Sequence, residues 1–177
     1  MRFSGNFEAK LDAKNRVFIP ALFRRLMQNE TKEENCVLYL RKDIFQDCIV
    51  LYPAQAWEAE LSQWRSRLNK YDPEQQDIYR QFMLEAEMVE MSANGRILLP
   101  KRLLSLVGID VEVRFLGVDD TIEIWPKAAL EQPRMQAEAF QAKVKELFMQ
   151  SQPQLRLLFS AVKPQKNFPH SSICSLV

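Results

Sequence analysis

D-A-K-N-R-V-F-I-P-A-L-F-R-R-L-M at residues 12–27 and S-A-N-G-R-I-L-L-P-K-R-L-L-S-L-V at residues 92–107 are two versions of one stretch. Arg16 matches Arg96, Pro20 matches Pro100 and Phe23 matches Leu103, all at one constant offset. A second echo follows each copy, I-V-L-Y-P-A at 49–54 and I-E-I-W-P-K at 122–127. A repeat this long points to a duplicated half-domain rather than a solenoid. It predicts a pseudo-symmetric fold in which one basic turn occurs twice.

Around each copy the local signals agree. Phe3, Gly5, Phe7 and Ala9 alternate as on a half-buried strand. L-D-A-K-N-R is turn-like, because Asp and Asn tolerate the backbone hydrogen bonding of tight turns. V-F-I suits a short strand, Pro20 suits the first position of a helix, and Leu22, Phe23 and Leu26 form that helix's apolar face. The second copy repeats this order and ends its helix at Gly108. A hairpin follows in each copy, turning through D-I-F-Q-D at 43–47 and G-V-D-D at 117–120. Pro53 and Pro126 then each open a further helix, and Trp57, Leu61, Trp64 and Leu68 make a helical stripe. Asp72, Pro73 and Gln75 resemble a capping box at the start of a helix over about 73–85. A last amphipathic helix is expected over 135–149, through Phe140, Val144, Leu147 and Phe148. The chain thus divides into a first motif (1–69), a linking helix (70–86), a second motif (87–134), a C-terminal helix (135–150) and an irregular tail (151–177).

The 177 residues are 47% hydrophobic and 27% charged, as in an ordinary globular protein. No apolar run is long enough for a transmembrane helix, and the N-terminus lacks a signal-peptide core, so a cytoplasmic protein is expected. Cys36, Cys48 and Cys174 are too few and scattered for a disulfide framework; Cys36 and Cys48 are expected to be reduced residues on strands. Net charge is only +1, but it is unevenly spread. Residues 1–25 hold six bases against two acids, 91–107 hold three bases and no acid, and 54–90 hold eight acids against four bases. Such asymmetry fits an anionic partner held at one face, and equally a fold in which opposite stretches pair.

Catalytic chemistry finds little to stand on. His170 is the only histidine and lies in the expected tail, and neither a Walker loop nor a dinucleotide fingerprint occurs. Asp119–Asp120 reads as a solvated hairpin tip. We therefore expect no enzyme, catalytic residue, metal or cofactor. The positive signal is the pair of basic turns, with Lys10, Lys14, Asn15 and Arg16 in one and Asn94, Gly95 and Arg96 in the other. Arginine offers a planar fork to phosphate or to guanine O6 and N7, and asparagine can bond to adenine or phosphate. From spacing alone, an Asp12–Arg16 ion pair that merely holds the turn, with Arg96 exposed for solubility, explains the same residues.

D-A-K-N-R followed by F-I-P at 12–20, G-R-I-L-L-P at 95–100, and the spacing between them resemble the MraZ family of bacterial DNA-binding regulators, which carry two tandem AbrB-like motifs. The resemblance covers residues 1 to about 148. It implies an α+β fold: a swapped-hairpin (AbrB-like) β-barrel built from two tandem pseudo-symmetric β-β-α-β-β halves, with helices around it. It also implies a sequence-specific transcription regulator, nucleoid-associated, that binds double-stranded DNA at short promoter repeats of the division and cell-wall gene cluster as a ring-type homo-oligomer. The family signature is D-x-x-x-R in each half. Asp12, Lys14 and Arg16 match it, whereas Ser92 stands where Asp is expected before Arg96. The implied DNA-binding residues are Lys10, Lys14, Asn15, Arg16, Asn94 and Arg96, with Asp12, Ser92 and Gly95 as positioning residues. AbrB-like modules also resemble antitoxins whose tails bind a protein, and the apolar L-R-L-L-F at 155–159 would serve that alternative.

Overall fold

The computed structural model of the chain describes residues 2–31, 36–131 and 133–150. The first half runs β1 (Phe3–Lys10), β2 (Arg16–Phe18), α1 (Ala21–Thr31), β3 (Cys36–Lys42), β4 (Ile49–Pro53) and α2 (Ala54–Arg67). α3 (Pro73–Leu84) leads to the second half: β5 (Glu87–Met91), β6 (Arg96–Leu98), α4 (Lys101–Val107), β7 (Glu112–Asp119) and β8 (Thr121–Pro126). A single 3-10 turn, Lys127–Leu130, ends this first compact unit. The second unit begins at Pro133, and its described part carries α5 (Ala137–Gln150), on which Phe140, Leu147 and Phe148 are exposed.

All strand pairs are antiparallel, and the main sheet has the order β1-β7-β8-β4-β3-β5. Each half lends its first strand to the other: β1 pairs with the second half's β7, and β5 with the first half's β3. The pseudo-twofold axis is written in the registers. Val50 faces Glu123 between β4 and β8, and Val17 faces Ile97 between β2 and β6. These are matching positions of the two echoes, so the repeated segments meet each other at the axis.

The main sheet is open, with β1 and β5 at its edges, and β2 and β6 make a separate two-stranded ribbon. The closed barrel expected from the family resemblance is therefore not what the ladder pairings form. With three residues each, β2 and β6 spend their ladder bonds on one another.

The period-two alternation sorts side chains onto both faces of the sheet. Leu38, Leu40, Ile49, Leu51, Ile122, Ile124, Val113 and Phe115 join Phe23, Leu103, Val17 and Ile97 in the larger core, beneath α1, α4 and the ribbon. Phe23 packs edge-on against Phe3 and Phe7, at 5.4 and 5.1 Å between ring centroids, which fixes α1 over β1. On the other face, Tyr52, Trp57, Leu61, Phe82 and Trp125 form a second cluster under α2 and α3. Cys36 and Cys48 are buried; Cys36 lies on β3, and Cys48 just precedes β4.

Several local expectations shift. The carbonyls of Pro20 and Pro100 accept from Arg24 and Leu104, so these prolines cap their helices one residue before the first turn. The buried face of α1 is Phe23 and Met27, with Leu26 partly buried and Leu22 exposed. Pro126 opens one 3-10 turn, not a helix; Pro133 disfavours helical backbone at the residue before it. The second hairpin turns on Asp119–Asp120 alone, because β7 continues through Gly117 and Val118 to pair with β1. Asp72 accepts from the N–H groups of Glu74 and Gln75 as an N-cap should, but the Gln75 side-chain oxygen accepts from Asn69 N–H. Trp57 and Leu61 are spent on the chain's own core, Trp64 is partly buried, and Leu68 lies past the end of α2 in extended backbone.

Candidate nucleic-acid interface

The turn between β1 and β2 is organised by Asp12. Its Oδ1 accepts from the backbone N–H groups of Lys14 and Arg16, both at 2.9 Å. Its Oδ2 takes Arg16 Nε and Arg16 Nη2, each at 2.8 Å. Backbone bonds from Asp12 N–H to Arg16 O and from Asn15 N–H to Asp12 O close the turn, with Asn15 in the left-handed region at φ 59°. Asparagine tolerates that conformation better than most residues. The Asp12 carboxyl is held below its ordinary value, chiefly by the Arg16 backbone N–H.

The turn between β5 and β6 copies this backbone with different chemistry. Ser92 N–H donates to Arg96 O, Gly95 N–H to Ser92 O, and Arg96 N–H to Ser92 Oγ at 3.1 Å. The Ser92 hydroxyl lies 2.6 Å from Asn94 Oδ1 and 3.0 Å from Arg96 O, and its single proton serves one of them. A hydroxyl therefore replaces the carboxylate as the turn's acceptor but cannot pair with the guanidinium. Among the described residues no acid takes that place. Arg96 instead lies over the ring of Phe18, 4.3 Å from its centroid. Gly95, at φ 82°, is the counterpart of Asn15. A Cβ there would run into the Arg24 side chain, which reaches from α1 to donate to Asn94 O at 3.2 Å.

Two reciprocal bonds tie the turns together. Ile19 N–H donates to Gly95 O at 3.0 Å, and Leu99 N–H donates to Asn15 O at 2.9 Å. Together with the β2–β6 ladder they bring Asn15, Arg16, Asn94 and Arg96 into one surface related by the pseudo-twofold. Lys14 and Asn94 are exposed on it.

Lys10 is placed differently. At the end of β1 its ammonium pairs with Glu112 at 2.9 Å, while Lys127 bridges Glu112 and Glu8, and Glu8 also binds Arg114. The Lys10 hydrogen bond holds the Glu112 carboxyl below its ordinary value, and the Arg114 hydrogen bond does the same for Glu8. The positive charge of Lys10 is thus shared with an acid, although its side chain stays largely exposed.

Phe18 and Arg24 belong to this surface and were not singled out from sequence. Phe18 could have been found by pairing the two V-F-I and I-L-L strands through Val17 and Ile97, which sets it opposite Arg96. Nothing in the sequence marks Arg24, since its role depends on where α1 lies.

Among the described residues no helix is long and apolar enough to cross a membrane. The stretch at 155–159 lies outside the described residues.

The chain matches the family model described as "MraZ protein, putative antitoxin-like" in two tandem segments, residues 2–81 and 82–150. It is 51% identical over 147 residues to a Transcriptional regulator MraZ of Bacteroides fragilis, covering 83% of this chain and 91% of that protein. A protein of the same name from Bacteroides thetaiotaomicron is 49% identical over 147 residues, covering 83% of this chain and 92% of the relative. Another, from Gluconacetobacter diazotrophicus, is 34% identical over 135 residues, 76% of this chain and 85% of its own. These relatives carry the name of a regulator, not of an enzyme. The two family segments meet inside α3, the helix that joins the pseudo-symmetric halves, and with a match spanning nearly all described residues the chain belongs to the MraZ family.

Proposed function

We propose that this chain is a sequence-specific DNA-binding regulator of transcription whose contact surface is the pair of turns and the ribbon between them. The observation that carries the proposal is the pseudo-twofold pairing of Arg16 and Arg96, each on a tight turn and each linked by backbone bonds to the opposite turn. Two forks in a fixed relation can address successive positions of a duplex, where one flexible arginine could not. The names of the relatives support the same reading. In it, Arg16 and Arg96 contact bases or phosphates, Lys14, Asn15 and Asn94 contact the backbone beside them, and Lys10 adds positive field. Asp12, Ser92 and Gly95 hold the turns.

One chain offers few phosphate contacts, and non-specific binding at physiological salt is weak, with Kd on the order of 10⁻⁴–10⁻⁶ M. We extend the proposal to a cytoplasmic, nucleoid-associated ring of identical subunits that engages successive promoter repeats at the division and cell-wall genes. Linking sites in a ring multiplies affinity through effective concentration without new contacts. Regulation is then steric, by competition with polymerase.

The test is binding to a promoter fragment with tandem repeats against a scrambled duplex, across a salt series, for wild type and for the Arg16→Ala, Arg96→Ala double variant. Specific binding in the wild type, lost in the double variant, is expected. Equal, weak and steeply salt-dependent binding of wild type to both duplexes would overturn the proposal.

A further inference from the structure

We infer that Phe18 and Leu98 are specificity-determining residues that contact the 5-methyl groups of thymines from the outer face of the β2–β6 ribbon. The inference rests on the DNA-binding reading above and concerns what the ribbon reads. Val17 and Ile97, at the centre of the two strands, point inward and are each 1% exposed. The period-two alternation therefore turns the remaining four side chains outward: Arg16, Phe18, Arg96 and Leu98. Across the ribbon Arg16 faces Leu98 and Phe18 faces Arg96, so each arginine is set against an apolar residue of the other half.

Phe18 is 48% exposed and Leu98 53%, and the core makes no use of either. Their neighbours decide what covers them. Arg96 lies over Phe18, Arg16 faces Leu98, and Glu8, Leu22 and Arg24 share a hollow with Phe18; both carboxylates are engaged, Asp12 by Arg16 and Glu8 by Arg114 and Lys127. An apolar protein surface would have to desolvate these cations, whereas a duplex neutralises them. A two-stranded ribbon fits the major groove, about 12 Å wide, where the thymine 5-methyl is the apolar group on the base edges. An arginine beside an apolar side chain matches a guanine beside a thymine, and the ribbon presents that pair twice. The Phe18 ring also holds the Arg96 guanidinium before DNA arrives, which reduces the ordering cost of the contact.

The experiment uses the full chain. Duplexes enriched by wild type from a random pool supply the site; each thymine in it is then replaced by deoxyuridine, which removes only the methyl. Wild type is expected to lose roughly fourfold in affinity for each methyl buried against the ribbon. Phe18→Ala or Leu98→Ala should be nearly indifferent to the same replacement, each at its own thymine. An enriched site without an A·T pair, deoxyuridine that is neutral throughout for wild type, or penalties unchanged in both variants would overturn this inference alone. The wild-type deoxyuridine series needs no variant, so it decides even if a variant folds poorly. Failure to enrich any sequence would overturn the DNA-binding reading, and this inference with it.

Discussion

In the first turn Asp12 holds both the backbone and the guanidinium of Arg16; in the second Ser92 holds only the backbone, and Phe18 of the other half holds Arg96. The backbones nevertheless agree bond for bond, from the closing hydrogen bond to the left-handed fourth residue. The difference separates two tasks that the family signature fuses in one carboxylate. Closing the turn needs an acceptor at its first position, and a hydroxyl suffices. Aiming the arginine needs a second contact, which can come from a ring across the ribbon. The first arginine is set by its own loop, and the second by the register between halves.

The largest difference should appear at the left-handed residue. Gly95→Ala puts a Cβ where the backbone favours none and where Arg24 packs, so a loss of about 1–3 kcal/mol in urea unfolding is expected. Asn15→Ala removes only asparagine's better tolerance of the same region and should cost less than about 1 kcal/mol. Arg24→Ala in the Gly95→Ala background should recover the part due to displacement and leave the backbone strain. Equal costs at the two positions would mean that Arg24 does not press on Gly95.

Exchanging the acceptors sharpens the contrast at smaller scale. Ser92→Asp gives Arg96 an acid like that of Arg16, and as an exposed pair it should change stability by no more than about 1 kcal/mol. Its informative effect is on coupling: with Arg96 held by its own loop, Phe18→Ala should weaken DNA binding less than it does in the wild type. Asp12→Ser should keep the first turn closed, as Ser92 does in the second, while freeing Arg16 and lowering affinity less than Arg16→Ala. If Asp12→Ser unfolds the turn, shown by loss of amide protection at Arg16, a hydroxyl is not a sufficient acceptor there.

The repeat made most of this legible. Matching Arg16 with Arg96 and Pro20 with Pro100 located both turns, both flanking strands and the helices after them, because one local grammar operates twice. What the sequence did not reveal lies between the copies. The Phe18–Arg96 contact requires the β2–β6 register, and the packing of Arg24 on Gly95 requires the seat of α1. The Lys10–Glu112 pair requires that β1 join β7. Each is a long-range consequence of strand exchange, to which local periodicity is blind. The helix expected after Pro126 failed for a local reason that was available, since Pro133 stands close behind it.

The smallest effect concerns pH, and it too divides the turns. The folded Asp12 carboxyl lies below its ordinary value of 3.8, because the Arg16 backbone N–H, and behind it Lys14 N–H and the Arg16 guanidinium, favour the charged form. A depressed acid contributes its stabilisation in full above the unfolded value and loses it as pH falls through the folded one. From pH 8 to pH 5 the first turn should therefore not change, and no step in DNA affinity should trace to it. Below 3.8 the carboxylate takes up its proton, so the Lys14 and Arg16 amide resonances should move in an NMR titration. The Arg96 amide should not move with them, since its acceptor, Ser92 Oγ, has no proton to gain in that range. An Asp12 carboxyl titrating at or above 3.8 would break the claim that this acid, rather than the turn backbone alone, holds Arg16. Joint movement of the Arg96 amide would instead mean that the reciprocal Ile19–Gly95 and Leu99–Asn15 bonds carry a disturbance from one turn to the other.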